Sequence, residues 1–198
     1  QGIAALGTHR TLRRASRWFR VKAAAALMGT SLPATAEAPP MISIVIDDLG
    51  EQRDAGWQAL RLPGKLAYAF LPNPRYTDEQ ARAAHRTGKE VLLHLPLQAL
   101  QGRLYETGIG EHSSRDEVVR QLRAGLASVP HVRGVNNHQG SLLTKSVLHM
   151  DWLMRELHSL GGYYFLDSRT TAESVAYATA RAYGLPSASR NIFLDTQR

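Results

Sequence analysis

Two adjacent carboxylates, Asp47 and Asp48, close the apolar run that begins at Met41 and are followed by Leu49-Gly50. One carboxylate can hold a metal ion while its neighbour accepts a proton, because adjacent residues on a strand point to opposite sides. The competing reading makes Asp48 a helix cap and Asp47 a solvated loop residue. Two imidazoles stand in comparable places: His94 ends the apolar run 90–94 and His138 ends 134–138. Asp167 follows the run 163–166, and Asp195 follows 191–194. One carboxylate with two imidazoles suits a catalytic zinc or similar divalent ion with open positions for water and substrate. A second carboxylate would then take the proton from that water. Taken singly, a histidine at a strand end is more often structural, and Asp167 before Ser168 reads equally well as a cap.

These residues converge only if the strands that carry them run parallel. The run 41–50 reads as a strand buried on both faces, too short for a helix and bounded by a turn. Further strands are expected at 65–71, 90–94, 134–138, 163–166 and 191–194. Helices are expected between them at 51–62, 77–88, 114–128, 146–160 and 172–183. Thr77 with Gln80, and Ser114 with Glu117, have the spacing of capping boxes. Strands alternating with helices argue for a parallel α/β architecture, whose C-terminal strand ends share one rim. The long segment 95–113, rich in glycine and carrying Tyr105, lies on that rim and has the length of a functional loop.

Composition narrows the function classes. The chain has 198 residues, 43% apolar and 21% charged, enough for one ordinary globular domain. Its net charge of +7 is unevenly placed. Residues 1–40 carry Arg10, Arg13, Arg14, Arg17, Arg20 and Lys22 against Glu37, a balance of +5 that leaves +2 for the rest. The body therefore lacks the basic face expected of a nucleic-acid binder. The basic start, the apolar stretch 23–32 and the small residues Ala34-Thr35-Ala36 together read as an export signal, with 41–198 as the folded domain. No stretch is long and apolar enough for a strong membrane span. With zero cysteines, an exported protein would do without disulfides. No phosphate-binding glycine loop and no serine nucleophile elbow occur.

Four ordered motifs together resemble the divergent polysaccharide deacetylase family, a bacterial envelope branch related to NodB-type carbohydrate esterases. They are Ile44-Val45-Ile46-Asp47-Asp48-Leu49-Gly50, Leu93-His94-Leu95-Pro96-Leu97, 134–141 (GVNNHQGS) and 165–171 (FLDSRTT). The resemblance implies a deformed (β/α) barrel of about seven strands, of which this chain would lack the last. It implies a metal-dependent hydrolase that removes acetyl groups from an envelope or extracellular polysaccharide, periplasmic or secreted, with zinc as the expected divalent ion. By the logic of that family, Asp47 resembles the general base and Asp167 a residue that orients a partner or contacts substrate. Asp48, His94 and His138 would be the metal ligands, and Asn137, Ser141, Arg169 and Asp195 would contact the glycan. The chain departs from the better-known enzymes in having neither a His-x-x-x-His nor an Arg-x-Pro-Tyr motif. Those departures support an alternative, a catalytically inactive envelope module that binds glycan or protein.

Overall fold

The computed structural model describes residues 42–194. The expected leader and Asp195 lie outside the described residues. Six strands form one parallel sheet in the order β1-β2-β3-β4-β5-β6. They are β1 (Val45–Leu49), β2 (Ala67–Phe70), β3 (Glu90–Leu97), β4 (Gly134–Gln139), β5 (Tyr164–Asp167) and β6 (Ser187–Ser189). Between them lie α1 (Arg53–Leu60), α2 (Thr77–Arg86), α3 (Arg115–Ser128), α4 (Val147–Leu160) and α5 (Ala176–Ala182). Spatial order equals chain order, so every crossover steps the same way. Right-handed crossovers that all step the same way place all the helices on one face, which is the winding of a barrel rather than of a doubly wound sheet. Among the described residues β1 and β6 do not pair, and the sheet is not closed.

Strand register sorts the side chains into two faces. Phe70, Leu93, Val135 and Phe165 lie in one row across the sheet and belong to the buried cluster that packs against the helices. Residues of the other parity form the opposite face: Ala69, Leu92, Gly134 and Tyr164 in one row, then His94, Asn136 and Leu166 in the next. Gly134 is required here, because a Cβ on it would stand 2.4 Å from Cε2 of Tyr164.

Several expectations are corrected. β1 lies at the edge of the described sheet; Val45 and Ile46 are half-buried and Asp47 and Asp48 exposed, so the strand is not buried on both faces. β3 runs on to Leu97 through Pro96, where the sequence suggested an end. β2 has already stopped at the level of Leu93, so the missing proline N–H leaves no gap in the ladder, and the Pro96 carbonyl accepts from Ile109 N. The sixth strand is Ser187–Ser189 rather than 191–194. Ser114 and Glu117 form the expected capping box of α3. Thr77 and Gln80 do not. The Thr77 hydroxyl donates to Leu71 O and the Gln80 amide to the carbonyls of Gln52 and Arg53, so both tie α2 to neighbouring segments.

Candidate metal centre

Asp48, His94 and His138 meet at one point. His94 Nε2 lies 3.2 Å from Asp48 Oδ1 and 3.2 Å from His138 Nδ1, and His138 Nδ1 lies 2.8 Å from Asp48 Oδ1. Three strands supply the three ligands. His94 sits inside β3 and His138 near the end of β4, both on the face away from the helices.

The aspartates reach this face through a defect in β1. Ile46 pairs with Tyr68 and Leu49 with Phe70, so Asp47 and Asp48 together oppose the single residue Ala69. This is the geometry of a β-bulge. Asp48 absorbs the extra residue with φ of 59°, a left-handed conformation that aspartate tolerates better than most side chains. Leu49 thereby returns to the buried core, and both carboxylates face His94 rather than opposite sides of the strand.

Asn136 joins the two halves of the site. It is in register with His94 and only 1% exposed. Its Oδ1 accepts from His94 Nδ1 at 2.8 Å, and its Nδ2 donates to Asp47 Oδ1 at 2.9 Å. With Nδ1 engaged to Asn136, Nε2 is the His94 nitrogen that faces Asp48 and His138, and once deprotonated it can offer its lone pair there. Nδ2 also lies 3.4 Å from Ser168 Oγ.

Charge is concentrated at this point. The hydrogen bond from His138, then that from His94, holds the Asp48 carboxyl far below the ordinary carboxylate range despite desolvation. Burial lowers the basicity of His94. The hydrogen bond to Asp48 and the charges of Asp47 and Asp48 outweigh it, and the net shift is upward.

The three ligand atoms fit a divalent cation. Two ligands about 2.0–2.1 Å from a tetrahedral zinc stand about 3.3 Å apart, close to the separations seen here. The donor chemistry agrees. A carboxylate oxygen and one nitrogen from each imidazole converge, the donor set of a divalent-cation site once both nitrogens are deprotonated. His138 meets the triangle through Nδ1, and its Nε2, on the other side of the ring, is buried without a hydrogen-bond partner. The ring of Tyr105 stands at 86° to His138 with centroids 5.0 Å apart. Burial and the charges of Glu51 and Asp48 raise the Tyr105 phenol, which keeps it protonated.

The remaining expected site residues are placed differently. Asp167 has the parity of Phe165 and faces the helices. Its carboxylate accepts from the backbone of Arg169 and Tyr177 and from the Ser174 hydroxyl, which caps the start of α5. Asn137 is also turned away, accepting from Ser168 N and donating to Gln139 O. The Ser141 hydroxyl accepts from Leu100 N, pinning the β3–α3 loop, and Arg169 is exposed on the β5–α5 loop. Asn136 and Ser168 are residues near the triad that sequence reasoning did not select, and Tyr105 was placed on the rim loop without a role. Alternation held the signal for the first, since Asn136 lies two residues before His138 and so shares its face.

A barrel-wound parallel sheet with an aspartate and two histidines converging at its C-terminal rim is an α/β fold that carries a candidate divalent-metal site. The chain belongs to the divergent polysaccharide deacetylase family, whose sequence profile matches residues 44–198. It is 36% identical to the uncharacterized protein YibQ of Escherichia coli K12 over 176 residues, 88% of this chain and 54% of that protein. It is 31% identical to an uncharacterized protein of Haemophilus influenzae over 159 residues, 80% of this chain and 56% of that protein. The chain thus spans about half the length of the curated relatives it matches. A crystal structure of an uncharacterized protein from Agrobacterium tumefaciens C58 has the same fold. Its TM-score is 0.74 at 23% identity, over 78% of this chain and 64% of that one.

Proposed function

We propose that the protein is a metal-dependent hydrolase that removes acetyl groups from an envelope or extracellular polysaccharide, acting in the periplasm or outside the cell. The observation that carries this reading is the convergence of Asp48, His94 and His138, with Asp47 beside them and outside the ligand triangle. A divalent ion held by the three, zinc by the donor set, would supply Lewis-acid polarisation of the acetyl carbonyl and acidify water.

The protein's own residues divide the remaining tasks. Asp48 and His94 provide charge and lone pairs for the ion. Asp47, held by Asn136 Nδ2 and 4.0 Å from His94 Nδ1, is the proton acceptor. Its carboxylate is 37% exposed and that of Asp48 63% exposed, so substrate reaches both from solvent, as a polymer requires. Tyr105 covers one side of His138 and presents a protonated hydroxyl near the rim.

The test is zinc content of the purified chain by elemental mass spectrometry, together with acetate release from acetylated glycans with and without chelator. The reading expects about one ion per chain and release that stops on chelation and returns with zinc. A folded, zinc-bound protein that binds glycan but releases no acetate would replace it with the binding-module reading.

A further inference from the structure

We infer that Asn136 is a positioning residue that couples the proton acceptor to the metal ligands, fixing both through one amide that has only one workable orientation. The inference rests on the hydrolase reading for its catalytic half and on geometry alone for its metal half. The ionised Asp47 carboxylate accepts hydrogen bonds and cannot donate, so it requires the amide nitrogen of Asn136. That choice turns Asn136 Oδ1 to His94. An oxygen there requires a proton on His94 Nδ1, so Nε2 is the nitrogen left to give its lone pair to an ion placed between Asp48 and His138. Reversing the amide would set a donor against the Nδ1 proton and an acceptor against a carboxylate.

Position in the fold makes this bridge stiff. Asn136 pairs in register with His94 between β3 and β4, deep in the sheet, and no water competes for its amide at 1% exposure. Ser168 Oγ, from the next strand end, lies within 3.4 Å of the same nitrogen. Partners that orient metal-bound histidines typically change metal affinity by about 10–100-fold when removed. This one also holds the base, so one substitution can separate its two functions.

Asn136→Asp keeps an acceptor for His94 and removes the donor to Asp47, replacing it with a second carboxylate. Asn136→Leu removes both. Zinc affinity is measured by competition with a chromophoric chelator, and turnover by acetate release from N-acetylated chitooligosaccharide and O-acetylated xylan. Asn136→Asp is expected to bind zinc as tightly as the parent or more tightly. On whichever probe the parent hydrolyses, its kcat should fall by about a hundredfold or more with little change in KM. Asn136→Leu is expected to lose about 10–100-fold in zinc affinity.

Equal loss of zinc affinity in both variants, or parental affinity in Asn136→Leu, overturns the inference. If Asn136→Leu does not fold, the aspartate variant decides alone: zinc retained with turnover lost supports the coupling, and zinc lost refutes it. A parent that releases no acetate from any probe sinks the hydrolase reading and the catalytic half with it. The zinc measurements then still decide whether Asn136 orients His94.

Discussion

Asp48→Asn is the most informative single change at this site, because it removes a charge and little else. Asparagine tolerates the left-handed backbone that Asp48 adopts at φ 59° nearly as well as aspartate does, so the bulge survives. Alanine would add backbone strain and confuse the result. The substituted amide still offers an oxygen to the ion, so the main loss is electrostatic. A carboxylate about 2.1 Å from a dication, screened as in water because the Asp48 side chain is 63% exposed, attracts it by about 4 kcal/mol. That corresponds to about a thousandfold in affinity. Competition of zinc against a chromophoric chelator at neutral pH measures the change directly. A cooperative melting transition in the metal-free variant shows that the fold is retained. An affinity within about tenfold of the parent, well short of that estimate, would show that Asp48 is not a ligand and that the triangle is fortuitous.

The pH dependence of stability should reverse sign with metal. Without metal, His94 titrates above its ordinary value of about 6.5, so its contribution is complete below that value and is lost as pH rises through the higher folded one. A bound ion needs the imidazoles deprotonated, so its stabilisation grows over the same range. Melting temperatures from pH 6 to 8.5, in chelator and in excess zinc, should therefore move in opposite directions; parallel trends would refute the assignment. The metal-free protein should also lose the contribution of Asp48 on acidification, from about pH 4 downward through its depressed folded value. Asp167→Ala should cost about 1.5–3 kcal/mol by urea denaturation, since it removes the charged acceptor of three hydrogen bonds, while zinc affinity stays unchanged. A loss of zinc affinity in a folded sample would show that Asp167 acts on the site after all. Gly134→Ala should cost about 1–3 kcal/mol, because its new methyl group would meet the Tyr164 ring; an unchanged urea midpoint would show that the ring moves aside freely.

Periodicity carried the architecture well and the fine aim of side chains poorly. Apolar runs and their turn signals placed five of the strands and the order of helices, since those depend on local pattern. They failed at the sixth, where Ser187-Ala188-Ser189 has no apolar signature and pairs with β5 only because α5 delivers it there. Convergence of Asp48, His94 and His138 on one rim was legible because parallel strands must end on the same side. What could not be read was the parity of each strand end. Asp167 and Asn137 stand one residue out of phase with His94 and Asn136, and a one-residue offset turns a side chain to the opposite face. The same limit hid the bulge: nothing in Ile-Asp-Asp-Leu shows that two residues will oppose one.

The bulge is what makes adjacent carboxylates useful. On a regular strand Asp47 and Asp48 would face opposite layers, and the one beside the helices would be buried without a partner. With an extra residue in β1 both reach the same side, yet they meet different groups: Asp48 meets two imidazoles, and Asp47 meets the neutral amide of Asn136. Asp48 is thereby held firmly as an anion, suited to a cation and poorly suited to taking up protons. Asp47, set outside the triangle of Asp48, His94 and His138, is left partly open to solvent. Two chemically identical side chains are given different surroundings by one irregular residue, and the left-handed turn at Asp48 is the conformational cost of that separation.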